Sequence, residues 1–119
     1  MLQHVSIEVP PPEVERTIEF WGLLGFARVD PPGPIADYVT WLEREGTQIH
    51  LIHNEAATVP QLGHAAVVAP DFDATLERVT AAGFEVEESR RLWGARRAFA
   101  SAPGGHKVEL MEAPPPPSA

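Results

Sequence analysis

Leu2-Gln3-His4-Val5-Ser6-Ile7-Glu8-Val9-Pro10 and Leu62-Gly63-His64-Ala65-Ala66-Val67-Val68-Ala69-Pro70 follow one pattern at an offset of 60 residues. Each has a leucine, a histidine two positions on, an apolar-rich run and a closing proline. Two further segments repeat in the same order. Gly25-Phe26 returns as Gly83-Phe84 at an offset of 58, and Gln48-Ile49-His50-Leu51 returns as Lys107-Val108-Glu109-Leu110 at an offset of 59. Three matches at nearly constant spacing, close to half the chain, point to an internal duplication.

Both halves have the same grammar. A short strand (2–9 or 62–69) runs into a proline turn, and a helix follows. Val14, Ile18, Trp21 and Leu24 make an apolar stripe at helical spacing in the first half. Phe72, Leu76, Val79 and Ala82 make one in the second, with Asp71 or Asp73 available to cap the helix start. Each helix stops at its Gly-Phe pair, where glycine takes the left-handed conformation that closes a helix. Three more strands complete each half, at about 26–30, 36–44 and 47–53, then 84–89, 95–101 and 106–112. The expected fold is α+β: two βαβββ modules whose curved mixed sheet surrounds a shared metal-binding cleft. The modules span about 1–57 and 62–113 of one domain covering 1–113. Pro114 to Pro117, Ser118 and Ala119 read as a flexible tail.

Composition narrows the function. The chain has 119 residues, one domain's worth, and a formal net charge of −8, which disfavours nucleic acid or an anionic membrane as partner. With no cysteine, thiolate metal sites and disulfides are excluded. No signal-type leader opens the sequence and no apolar run is of membrane-spanning length, so a cytoplasmic protein is the expectation.

Strand side chains alternate between faces, which sorts the polar residues. Val5, Ile7 and Val9 suit the helix side, so His4, Ser6 and Glu8 point the other way. Ile49 and Leu51 leave Gln48 and His50 opposite. Ala65, Val67 and Ala69 leave His64 and Ala66 opposite. Val108 and Leu110 leave Lys107, Glu109 and Met111 opposite. Parity therefore selects His4, His50, His64 and Glu109, and the repeat pairs the same four: His4 with His64, His50 with Glu109. Three imidazoles and a carboxylate suit one first-row divalent ion: Zn, Ni, Co, Mn or Fe. His53 and His106 have the opposite parity and are expected to be exposed, non-ligating residues near strand ends.

These features resemble the vicinal oxygen chelate superfamily of glyoxalases, bleomycin-resistance proteins and extradiol dioxygenases. The resemblance rests on Leu2-Gln3-His4-Val5, Phe20-Trp21 with Leu24-Gly25-Phe26, Leu62-Gly63-His64 and Pro103-Gly104-Gly105-His106-Lys107-Val108-Glu109-Leu110. It implies one divalent metal per site held by His4, His50, His64 and Glu109, with Glu109 as the catalytic base. It also implies a homodimer in which the first module of one chain faces the second module of the other. The activity expected from it is a metal-dependent, glyoxalase-like lyase or isomerase. Such an enzyme would abstract a proton beside a carbonyl of a small oxygen-chelating substrate. The alternatives are a bleomycin-resistance-like binding protein, a thiol transferase and an extradiol-type dioxygenase, the last using His4, His64 and Glu109 alone. His50 departs from the glyoxalase pattern, which places Glu or Gln there. For substrate contacts, Ser6 lies where the fosfomycin-resistance type places a threonine. Trp41 is offered by strand parity against Tyr38. Arg96, in the cluster with Arg90, Arg91 and Arg97, is a candidate anion clamp.

Overall fold

The computed structural model describes residues 1–118; Ala119, the end of the expected tail, lies outside the described residues. The alternation read from the sequence produces eight strands and two helices. Module one contains β1 (His4–Val9), α1 (Val14–Leu23), β2 (Ala27–Val29), β3 (Val39–Arg44) and β4 (Thr47–His53). Module two contains β5 (Ala65–Val68), α2 (Phe72–Ala81), β6 (Val86–Ser89), β7 (Arg97–Ser101) and β8 (Lys107–Met111). The first compact unit is Met1–Val59 and the second begins at Pro60.

The two sheets have one topology. Their strand orders are β1-β4-β3-β2 and β5-β8-β7-β6. The first and last strands of each module pair in parallel, and the other pairs are antiparallel. The helix faces hold the apolar residues that parity assigned to them. Val9, Phe20, Trp21, Leu42 and Leu51 are fully buried in module one, as are Val79, Ala98, Val108 and Leu110 in module two. Trp21 meets Phe20 and Phe26 edge-on, at 5.6 and 5.2 Å between ring centroids. The buried faces of the helices also include Thr17 and Thr75. Each threonine hydroxyl donates to a carbonyl four residues back, Glu13 O and Asp71 O, which satisfies it inside the core.

Both helices end alike. Gly25 (φ 91°) and Gly83 (φ 93°) are left-handed. The Phe26 N–H reaches Trp21 O at 3.1 Å, and the Phe84 N–H reaches Val79 O at 3.2 Å. The Gly25 and Gly83 N–H groups reach Gly22 O and Thr80 O. This is the paired C-terminal closure in which glycine supplies the conformation other residues resist.

Some boundaries moved for local reasons. The strand expected from residue 36 starts at Val39, because Gly33–Ile35 closes into a 3-10 turn that uses the Ala36 and Tyr38 N–H groups. The strand expected from 62 starts at Ala65, because the Leu62 carbonyl accepts from the His64 ring. His106, expected to be exposed, is buried, and His53 is half-buried. The reason at His106 is the tight hairpin closed by Ala102 N–H on His106 O, which leaves that residue at the hairpin base. His53 hydrogen-bonds the Thr40 hydroxyl at 2.9 Å. Residues 113–118 lie exposed, outside the strands and helices. Among the described residues, no helix is long and apolar enough to cross a membrane.

Gly22 and Gly25 provide a matched test. Gly25→Ala forces a side chain into φ 91° and is expected to cost about 1–2 kcal/mol. Gly22→Ala, with nothing within 4 Å of the added carbon and a helical backbone, should stabilise by about 0.5 kcal/mol. Urea unfolding of the two variants should show opposite shifts in midpoint.

Candidate functional site

The parallel pairing of β1 with β4, and β3 on the other side, sets Ser6 and Trp41 opposite His50 in register. Trp41 and His50 stack at 4.2 Å between ring centroids, 4° from parallel. His4 stacks on His50 at 4.0 Å and 16°. His50 is 8% exposed, and burial first, then the neighbouring His4, pushes its pKa below the ordinary histidine value. Tyr38, which competed with Trp41 for this face, is half exposed and precedes β3.

Hydrogen bonds assign the tautomers. The Gln48 amide nitrogen donates to Glu43 Oε1 at 2.8 Å, so its Oε1 is an acceptor, and His50 Nε2–H donates to it at 2.8 Å. Nε2 of His50 is therefore engaged within the sheet face. His4 Nδ1–H donates to Gln3 Oε1 at 2.7 Å, which leaves its Nε2 with the lone pair.

Module two places the equivalent residues by the same register, with Ala66 and Phe99 opposite Glu109. His64 Nδ1–H donates to Leu62 O at 3.0 Å, and its Nε2 lies 3.0 Å from Glu109 Oε1. The Leu62 carbonyl and the Glu109 carboxylate are both acceptors, an arrangement that favours the protonated ring. The Leu62 carbonyl first, and the Glu109 carboxylate after it, raise the His64 pKa above the ordinary value. The other Glu109 oxygen, Oε2, accepts from Arg97 Nε at 3.0 Å, and the residue is 6% exposed. Phe99 stands edge-on to His64 at 5.2 Å, with the Arg97 guanidinium 5.3 Å from its ring centre. A cavity of about 610 Å³ opens beside Phe99 and runs past Glu85, Glu87, Ser101 and Lys107 to Thr80 and Phe84; His64, Arg97 and Glu109 do not line it.

Each expected site residue now has a place. His4, Ser6, Trp41 and His50 share one face of module one, and His64 and Glu109 share one face of module two. Arg96 lies elsewhere. Its guanidinium is held by Glu88 and Asp73 over the Phe72 ring, on the α2 side of the sheet. The guanidinium beside Glu109 is that of Arg97. Arg97 stood in the sequence only as a member of the arginine cluster and Phe99 was missed, although the repeat offset of 58 sets Phe99 on Trp41 and Arg97 on Val39.

The donors of module two fit a divalent ion. Nε2 and Oε1 at 3.0 Å have the separation of neighbouring ligands about 2.1 Å from a metal. The carbonyl on Nδ1 fixes the ring, as second partners do at metal sites. Module one fits less fully. An imidazole ligand holds its ion near its own ring plane, and two rings stacked at 16° with centroids 4.0 Å apart share no such point nearby. As arranged, His4 and His50 offer one ion a single nitrogen between them. Within neither module do three His, Asp or Glu side chains cluster as a metal site among the described residues.

Comparison with known proteins identifies the fold and its family. The model of the Glyoxalase/Bleomycin resistance protein/Dioxygenase superfamily matches residues 2–110. A glyoxalase family protein from Bacillus anthracis is similar over 93% of both chains, at 19% identity and a TM-score of 0.82. The fosfomycin resistance protein FosX from Listeria monocytogenes aligns over 96% of this chain and 91% of its own, at 18% identity and 0.77. The oxidase ChaP-H2 aligns over 97% and 94%, at 23% identity and 0.76. No curated protein matches the sequence.

The histidines should separate by pH. In NMR titrations His64 is expected to titrate above the usual value of about 6.5, and His50 and His53 below it. The His64 contribution to stability is full below about pH 6.5 and is lost as pH rises through its raised folded pKa. His50 and His53 act oppositely, because the folded state resists their protonation and stability falls as pH drops below about 6.5. His64→Ala should remove the first component and leave the second. A His64 resonance titrating with or below His53 would contradict the arrangement.

Proposed function

Because the chain belongs to the Glyoxalase/Bleomycin resistance protein/Dioxygenase superfamily, we propose that it is a divalent-metal-dependent lyase or isomerase for a small oxygen-chelating substrate. The observation that carries this reading is the His64–Glu109 pair, with Nδ1 fixed by Leu62 and donor atoms 3.0 Å apart. The proposed ligands are His64 Nε2, Glu109 Oε1 and His4 Nε2, the donor that turns without disturbing the Trp41–His50 stack. His50 stays in that stack with Nε2 on Gln48. The donors of the two modules share one ion, and we place them on two chains of a homodimer, where two-fold symmetry makes both sites alike.

A bound ion supplies Lewis acidity for charge developing on a carbonyl oxygen. The chain's residues do the rest. In this reading Glu109 is the base, and Oε1 would take the proton from the neighbouring carbon once it is no longer a ligand. Arg97 holds Oε2, so Oε1 is the oxygen left for these roles. Trp41 and Phe99 wall the face on their respective modules, and Ser6 offers a hydroxyl to substrate. The 610 Å³ cavity beside Phe99 is of small-molecule size.

A second reading has its own support. With His50 held in the stack, His4, His64 and Glu109 form the two-histidine, one-carboxylate set used for ferrous oxygen chemistry. An oxygenase therefore competes with the lyase.

Metal titration and a substrate panel separate these readings. Wild-type protein should bind Zn, Ni, Co, Mn or Fe tighter than millimolar. His64→Ala and His4→Ala should each weaken binding by about 10-fold or more, and His53→Ala should leave it unchanged. In deuterated buffer, α-hydroxycarbonyl substrates should exchange their α-proton only with metal present. Oxygen uptake with catechols under ferrous conditions, without exchange, would favour the oxygenase. Mixing His4→Ala with Glu109→Ala chains should restore metal binding in heterodimers; none in confirmed heterodimers would refute sharing between chains.

A further inference from the structure

Arg97 is the buried cation that no expected role absorbs. It is 9% exposed, at the start of β7, diagonal to Glu109 across the β7–β8 ladder. Its guanidinium is held at several points. Nε donates to Glu109 Oε2 at 3.0 Å, and one terminal nitrogen donates to Ser89 Oγ at 3.2 Å and Arg90 O at 3.0 Å. The plane of the fork is thereby fixed from β6 and the segment after it, as well as from Glu109. A side chain held this way does not follow the carboxylate if the carboxylate turns. Glu109 therefore has two unequal oxygens: Oε2 faces a fixed guanidinium, and Oε1 faces His64.

We propose that Arg97 is a positioning residue that confines Glu109 to ligation through Oε1 alone and thereby selects among cations. The inference rests on the metal reading above. An ion drawing on both carboxylate oxygens must displace the Arg97 Nε–H from Oε2, which leaves a buried guanidinium without its counter-charge. An ion satisfied by one oxygen, at the short distance of zinc or nickel, enters beside His64 and leaves the pair intact. Calcium, which takes six to eight oxygens and favours two-oxygen carboxylates, is disfavoured at this position.

The test is the Arg97 Nε–H proton resonance in protein labelled with 15N-arginine, followed through a zinc titration. Arg97→Lys, which lacks that group, assigns the signal. The expected result is a slowly exchanging, hydrogen-bonded Nε–H that persists at zinc saturation. A companion measurement compares calcium with zinc in wild type and Arg97→Gln. The wild-type preference for zinc should fall by about 10-fold or more in the variant. Loss of the Nε–H signal at saturation overturns the proposal, as does an unchanged zinc preference in folded Arg97→Gln. If Arg97→Gln does not fold, the wild-type resonance alone decides. If zinc does not bind while the resonance is present, the metal reading fails and this inference falls with it, although the ion pair stands.

Discussion

His4, His50 and Glu109 owe their places to the parallel pairing of the first and last strands of a module, and His64 stands just before the start of β5. That pairing puts two neighbouring side chains on the face away from the helix, one from each strand. Because side chains alternate, burying Val9 and Leu51, or Val67 and Leu110, under a helix commits His50 or Glu109 to the other face. A slip of one residue in either ladder would exchange core for donors, at the loss of the apolar contacts. The hydrophobic core therefore enforces the register of the site, and the Gly25 and Gly83 closures deliver each chain from its helix to the next strand.

The two faces have since taken different chemistry. In module one the position opposite Ser6 is an imidazole, which stacks between Trp41 and His4 and needs no counter-charge. In module two the same position is Glu109, which burial would penalise heavily if it stood alone. Arg97 offsets its charge through Oε2, and the His64 ring meets the other oxygen. Removing one partner of such a buried pair costs about 3–5 kcal/mol, so Glu109 is held more firmly than a surface carboxylate.

Much of this was legible in the sequence, for definite reasons. The repeat and the period-two alternation brought out both modules, every strand and helix, and the face on which His4, His50, His64 and Glu109 lie. What escaped were relations across antiparallel strands, where register rather than local pattern decides neighbours. Arg96 and Arg97 are adjacent and chemically equal in the sequence. One lies with Asp73 and Glu88 on the helix side, and the other lies on Glu109. The mutual stacking of His4 and His50 was equally hidden, since parity gives a shared face but not a ring orientation. His106 appeared to be a loop-end residue because a hairpin base and a hairpin tip look alike in sequence.

We propose that one ion draws on His64 and Glu109 of one chain and a single imidazole of the partner chain. X-ray absorption of zinc-loaded protein measures this directly, because imidazole rings scatter characteristically beyond the first shell. The account predicts two imidazoles per zinc in wild type and one in His4→Ala, with Glu109 supplying oxygen in both. A single imidazole in wild type, unchanged by His4→Ala, would contradict it, because module two would then be holding the ion alone.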